Sequence, residues 1–263
     1  MGEVALERVV VLGAGRVATH LVPALVQAGF KVAQVWSRTE VSARTLAEPL
    51  DIPYTDDLDS IINDADIYIV SVADEALPLV AEKLVTLVGG HPLYLHTAGS
   101  VDISLWRRCG ASHFGILYPL QTFSKERAVN MHDVSLFIEA SDDNALVMIE
   151  GVACRVSRKV FRADSKCRTR LHIAAVFACN FTNAMYAAAY RLLDEEGIPF
   201  DVLLPLIDET ASKVHELTPH EAQTGPAVRG DRTVMSSHLK ILEDSPILRE
   251  IYSLISNYIG KEE

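Results

Sequence analysis

Three places in this sequence have residue types at spacings that could do chemistry. Gly13-Ala14-Gly15-Arg16-Val17-Ala18 has the G-x-G-x-x-A spacing that lets a backbone hold a pyrophosphate. Gly13 permits a tight turn, Gly15 lets the main chain approach a phosphate closely, and Ala18 is small enough for helix and strand to pack. The N–H groups around Ala14, Arg16 and Val17, with the positive end of a following helix, would face the phosphates. Further on, Ser37-Arg38 stands where an NAD site carries an Asp or Glu for the ribose hydroxyls. A hydroxyl beside a guanidinium suits a 2′-phosphate instead, which favours NADP over NAD.

The second place is one apolar stretch. At 100° per residue, Arg168, His172, Asn183 and Tyr190 fall within about 60° of one another on a helix, with Asn180 further round. Buried polar groups are costly unless hydrogen-bonded, so this stripe faces a wet cleft or pairs internally. Histidine is suited to proton transfer, which makes His172 with Asn180 the candidate catalytic pair, against the alternative of a satisfied core histidine. The third place is Thr224-Gly-Pro-Ala-Val-Arg-Gly-Asp231, a rigid turn. There Arg229 could clamp a carboxylate or phosphate, and Asp231 could contact substrate or cap the next helix. No metal site is expected: His215-Glu216 and His220 miss the H-E-x-x-H spacing by one residue, and Pro219 would break the helix it needs. No G-x-S-x-G elbow or P-loop occurs either.

The elements that must position these residues are legible as runs and periods. Arg8 to Leu12 reads as a strand buried on both faces, followed by a helix from Val17 to Gln27 that Gly29 closes. Further strands are expected at Lys31–Trp36, near Pro53–Thr55, within Asp66–Asp74, and at Pro92–His96, His113–Tyr118, Val134–Glu139 and Val156–Phe161. Helices are expected between them, near Val41–Leu50, from Glu75 with Asp74 as its cap, and near Asp143–Ala153. Ligands in open α/β sheets sit beyond the carboxyl ends of the strands. Val72, Ala73 and Asp74 therefore line the expected nicotinamide half, with Thr97 and Gly99 as further cofactor contacts, and Gln121, Asn183, Arg229 and Asp231 are the candidate substrate contacts. His96 is read as a hydrogen-bonded histidine of the sheet.

From Arg155 to Arg170 seven basic residues face one acidic, so this stretch carries +6 in a chain of net charge -11. Beyond it the periodicity turns helical: one long helix from Cys167 to Glu196, then helices near 201–217, 233–243 and 248–259. The expected fold is an α/β domain with a doubly wound, mostly parallel, Rossmann-like sheet over residues 1–162, and an all-α domain over 163–263. The acidic balance lacks the cationic field that nucleic-acid binding uses. The charge-free run Leu171–Tyr190 is alanine-rich and carries a histidine and two asparagines, so it reads as a core helix and not a membrane span. Four scattered cysteines with no leader before them point to a cytoplasmic protein. The long helix is apolar nearly all round, which predicts a homodimer through the helical domain.

On the glycine turn, the Asp66–Asp74 strand, His96-Thr-Ala-Gly-Ser100, Tyr118-Pro-Leu-Gln-Thr-Phe123, His172 through Asn180 and the Thr224–Asp231 turn, the chain resembles a bacterial family that joins a Rossmann-like domain to a helical domain of unknown function. It is more distantly similar to the superfamily of 6-phosphogluconate and 3-hydroxyisobutyrate dehydrogenases, pyrroline-5-carboxylate reductase and deazaflavin-dependent NADP reductases. The resemblance implies a 6-phosphogluconate-dehydrogenase-C-terminal-like second domain and hydride transfer between NADP and a small carbonyl, imine or deazaflavin-type substrate. The lysine that hydroxyacid members place one turn before an asparagine is replaced by Val176 or Cys179. Tyr118-Pro119 stands where close relatives carry His-Pro, which removes one candidate proton donor. A non-catalytic NADP(H)-binding sensor or interaction protein is the second reading.

Overall fold

A computed structural model describes residues 7–261, so the outermost residues of both expected domains, 1–6 and 262–263, lie outside the described residues. The first of two compact units, residues 7–179 of the described chain, is built on an eight-stranded sheet. In chain order its elements are β1 (Arg8–Leu12), α1 (Arg16–Gln27), β2 (Lys31–Trp36), α2 (Glu40–Ala47), β3 (Tyr54–Thr55), β4 (Ile67–Val70) and α3 (Leu77–Val88). Then follow β5 (Leu93–His96), α4 (Ser104–Arg108), β6 (His113–Leu120), β7 (Ser135–Ala140), α5 (Asp143–Val156), β8 (Val160–Arg162) and α6 (Ser165–Ala175). The strand order β3-β2-β1-β4-β5-β6-β7-β8 reverses direction from β1, the doubly wound arrangement, which opens a crevice at the carboxyl ends of β1 and β4. The pairs from β3 across to β6 are parallel; β7 runs antiparallel to β6.

Central strands without alternation are buried on both faces, as their apolar runs predict: all four residues of β4 and of β5 are buried. Val9, Val11, Ile67, Ile69, Leu93 and Leu95 pack on one side under α1, α2 and α5. Val10, Leu12, Tyr68, Val70 and Tyr94 pack on the other with α3 and α4. On that second side Tyr68, Tyr94 and Trp106 stack in sequence at centroid separations of 5.6 and 5.4 Å. These large rings bury much apolar area, and the Tyr68 hydroxyl is satisfied by donating to the Ile62 carbonyl at 2.8 Å.

Three local expectations are corrected. The helix near Asp143 continues to Val156, capped by Asp142 accepting from the Ala145 N–H, so the strand expected from Val156 starts only at Val160. Asp74 does not cap α3. The chain enters that helix through a turn in which the Ala76 and Leu77 N–H groups donate to the Ala73 carbonyl, and the Asp74 carboxylate instead accepts from the Ser100 hydroxyl. The single long helix is interrupted: α6 gives way to a π-helical turn, Val176–Phe181, before α7 (Thr182–Asp194). Because the π turn changes the hydrogen-bond ladder, 100° spacing extrapolated from Arg168 and His172 does not carry through to Asn183 and Tyr190.

The second unit, residues 180–261, holds α7, α8 (Leu204–Lys213), α9 (Arg232–Ile241) and α10 (Pro246–Ile259). The division by compactness falls inside the π turn, while the boundary expected from the sequence, between residues 162 and 163, falls just before α6. Among the described residues of this unit only Leu242 is buried. An apolar groove of about 410 Å³ runs along it, lined by Met185, Leu192, Leu248, Ile251 and Ile255 among others. Among the described residues no helix is long and apolar enough to cross a membrane.

Candidate functional site

The glycine turn is built by strand crowding. Gly13 sits at φ +124 where β1 leaves the sheet; its N–H donates to the Trp36 carbonyl at 2.7 Å, while the Ser71 N–H donates to the Leu12 carbonyl at 2.7 Å. A Cβ on Gly13 would lie 2.6 Å from the Ser71 carbonyl carbon and closer still to its oxygen, so the turn admits glycine alone. Gly15 is the N-cap of α1, has no side chain to satisfy the helix N–H groups, and a Cβ there would meet nothing within 4 Å. An uncapped helix N-terminus facing open space fits a pyrophosphate. Around it Ala14 is buried, Val17 is half-buried, and Arg16 is exposed on the first turn. Ser37 is buried at the end of β2, where its N–H donates to the Thr55 carbonyl, and Arg38 beside it is exposed.

At the carboxyl ends of β4 and β5, Val72 is half-buried and Ala73 exposed, and the Thr97 hydroxyl donates to the Ser71 hydroxyl at 3.1 Å. Gly99 has a role that the sequence does not show. A Cβ there would lie 2.6 Å from the Tyr118 ring, so Gly99 makes room for that ring and does not lie open to a ligand. The Tyr118 hydroxyl is 3.1 Å from His172 Nδ1, and the two rings are tilted at 58°. Burial pushes the Tyr118 phenol above its ordinary range, with Asp74 adding to the rise and the Arg168 guanidinium opposing it.

One helical turn before His172, Arg168 is 1% exposed. It pairs with Glu139 of β7 at 2.5 Å, donates to the Val101 carbonyl at 2.7 Å, and donates to the Ser165 hydroxyl at 3.1 Å. The Ser165 hydroxyl itself donates to Glu139 at 2.8 Å. A buried pair of this kind is weak evidence for stability but fixes register, because any sliding of α6 would leave two charges unpaired. The polar stripe read from the sequence is thus split: Arg168 is sealed in an ion pair, His172 is half-buried on Tyr118, and Asn183 and Tyr190 are exposed in the other unit.

His96 is the hydrogen-bonded sheet histidine the sequence suggests. Its Nδ1 accepts from the Ala98 N–H at 3.2 Å, and its ring stacks on Trp106. Burial, reinforced by Arg168, holds its pKa down to about 3, so it stays neutral. Gln121 is exposed at the end of β6, with its side-chain oxygen accepting from the Thr122 N–H at 2.7 Å. In the second unit Asn180 and Arg229 are exposed, and Asp231 caps α9 by accepting from the Val234 N–H at 3.1 Å. Tyr118 is a candidate site residue that sequence reasoning missed. Its signal was the alternation Phe114, Ile116, Tyr118, which puts the tyrosine on the same face of β6 as the Phe114 side of the core.

A doubly wound sheet with a glycine turn at its reversal point, joined to an all-helical unit, defines the class of Rossmann-type proteins with a helical second domain. Residues 134–259 match the domain of unknown function DUF2520, and residues 1–110 match the shikimate/quinate 5-dehydrogenase family. A solved Bacteroides fragilis protein, described as a "putative NADP oxidoreductase", is 46% identical over 97% of this chain and 98% of its own, with a TM-score of 0.92. The chain belongs to the same family as this protein, Rossmann domains joined to DUF2520. An imine reductase from Myxococcus stipitatus in complex with NADP+ shares the fold at 17% identity, covering 97% of this chain and 93% of its own, with a TM-score of 0.69. A 1-pyrroline-5-carboxylate reductase from Streptococcus pyogenes does so at 14% identity, covering 97% and 98%, with a TM-score of 0.63. None of the curated proteins compared with the chain matches it.

Proposed function

We propose that this protein is an oxidoreductase that moves a hydride between NADP and a small carbonyl or imine substrate. The observation that carries the reading is that one sheet edge holds both a pyrophosphate cradle, Gly13 and Gly15 at an uncapped helix start, and a protonatable pair, Tyr118 and His172. The description of the Bacteroides fragilis relative and the NADP+ complex of the imine reductase support it.

Gly13, Ala14, Gly15, Arg16 and Val17 would hold the pyrophosphate, Ser37 and Arg38 the 2′-phosphate, and Val72, Ala73 and Thr97 the nicotinamide end. Bound NADPH supplies the hydride. The chain's part is to orient the acceptor, exclude water and provide the proton that a reduced carbonyl or imine must gain; His172 belongs to that last task, and Asn180 is the amide proposed to orient the acceptor. Gln121, Asn183, Arg229 and Asp231 are the proposed substrate contacts. The protein acts as a homodimer in the cytoplasm. In support, the helical unit buries only Leu242 among its described residues while Leu206, Ile247 and Leu254 are 63%, 72% and 62% exposed, apolar surface that a second copy would cover.

The test is NADPH binding by fluorescence, then NADPH oxidation at 340 nm with a panel of oxo acids and cyclic imines. Saturable binding with turnover supports the proposal. Binding with no turnover on any member favours the sensor reading, and no binding refutes both.

A further inference from the structure

We infer that Tyr118 is the group that hands the proton to the substrate, and that His172 reloads it from solvent while the Arg168–Glu139 pair holds α6 in the register that brings the two together. This rests on the oxidoreductase reading above.

The argument starts from position. Tyr118 lies two residues before β6 ends at Leu120, and its ring lies over Gly99, in the loop after β5. The hydroxyl is therefore at the edge where Thr97 and Ser71 end their strands. His172 Nδ1 is taken up by Tyr118 at 3.1 Å, so this nitrogen reaches a substrate only through the phenol. A phenolic oxygen can donate one hydrogen bond and accept two, so Tyr118 can accept from His172 Nδ1–H and donate to a substrate at once.

The charges nearby fit the task. Burial keeps the phenol protonated in the resting enzyme, and the phenolate that forms on donation needs positive charge close by. In the proposed relay His172 would supply it at contact, and Arg168 acts on the phenol from the same helix, opposed by Asp74 from the loop after β4. The step balances as follows. Bound NADPH would supply the hydride, its nicotinamide C–H bond breaking to leave NADP+; the carbon of C=O or C=N gains it, and the electron pair of the double bond goes to the oxygen or nitrogen. That atom bonds the phenolic proton as the Tyr118 O–H bond breaks. The phenolate takes the Nδ1 proton of the imidazolium, leaving neutral His172, and the half-buried ring regains one proton from water. One hydride and one solvent proton enter the product, and the side chains return to their starting state.

Tyr118 is thus the catalytic acid, and His172 and Arg168 act through it. The experiment uses full-length protein, NADPH, and two probes, pyruvate and 2-methyl-1-pyrroline. Tyr118→Phe keeps the ring against Gly99 and should fold. It should bind NADPH within twofold of wild type yet lose about 10²–10⁴-fold in hydride transfer. His172→Ala should also lose rate, and added imidazole should restore part of it, which a purely structural histidine would not allow. In the free protein, the ring nitrogen resonances of His172 in ¹⁵N-histidine-labelled samples should move on Tyr118→Phe. A Tyr118→Phe enzyme as fast as wild type, absence of imidazole rescue, or unmoved His172 resonances would each overturn the assignment. If wild type oxidises NADPH with neither probe while the resonances do move, the oxidoreductase reading falls, and the proton delivery with it. Slow Tyr118→Phe beside active wild type, with shifted resonances and rescue, supports both.

Discussion

Gly13 and Gly15 stand two residues apart in one motif, and the structure gives them separable roles. Alanine at position 13 must adopt φ +124 and place a Cβ 2.6 Å from the Ser71 carbonyl carbon. A backbone held in so sparsely populated a region costs about 1–3 kcal/mol. Relieving the overlap means parting β1 from β4 at the Ser71 N–H to Leu12 carbonyl bond, a further ~1 kcal/mol or more. The expected loss is about 2–4 kcal/mol, a large share of a typical stability and on the order of 10 °C in melting temperature. Alanine at position 15 meets no atom within 4 Å and keeps an ordinary φ of -82, so stability should hold within about 0.5 kcal/mol. The same methyl group would stand in the approach of a pyrophosphate to the uncapped N–H groups of α1. Losing one charge-assisted bond costs about 1.5–3 kcal/mol, at least tenfold in NADPH affinity. Thermal denaturation and NADPH titration of both variants give the answer. Gly13→Ala melting with wild type, or Gly15→Ala binding NADPH as wild type does, would refute the cradle as described.

Arg38→Ala should weaken NADPH by more than tenfold and NADH hardly at all; equal wild-type affinities for the two cofactors would remove the 2′-phosphate role of Ser37 and Arg38. Glu139→Gln leaves Arg168 buried without its carboxylate, and urea denaturation should show a loss of about 3–5 kcal/mol. His96 is a buried base whose native pKa lies near 3 against an ordinary 6.5, so the unfolded chain takes up a proton that the folded one refuses between these values. Stability should therefore fall as pH drops from about 6.5 towards 3, by roughly 1.4 kcal/mol per pH unit from this group, and His96→Gln should flatten that slope in denaturation curves taken at stepped pH. Light scattering at micromolar concentration should give a dimer mass, and a monomer would reject the proposed self-association.

Much of the first unit is written locally. The unalternated run Val9 to Leu12, the glycine spacing after it and the turn at Gly29 together specify β1–α1–β2, because each depends on sterics within a few residues. Asp231 capping α9 is legible for the same reason. Tertiary structure decided what depends on residues far apart in the chain. Asp74 looks like a helix cap in sequence, yet the Ser100 hydroxyl, 26 residues on, claims its carboxylate. Gly99 looks free to approach a ligand, and the Tyr118 ring occupies the space its side chain would need. Arg168 and His172 read as neighbours on one stripe, but only the packing of α6 against β6 and β7 buries the first in an ion pair and brings the second, 54 positions away, to Tyr118. Periodicity fixes which side of a helix or strand a residue occupies; what faces that side is set by the arrangement of the sheet, and the chemistry of this site lies in those facing pairs.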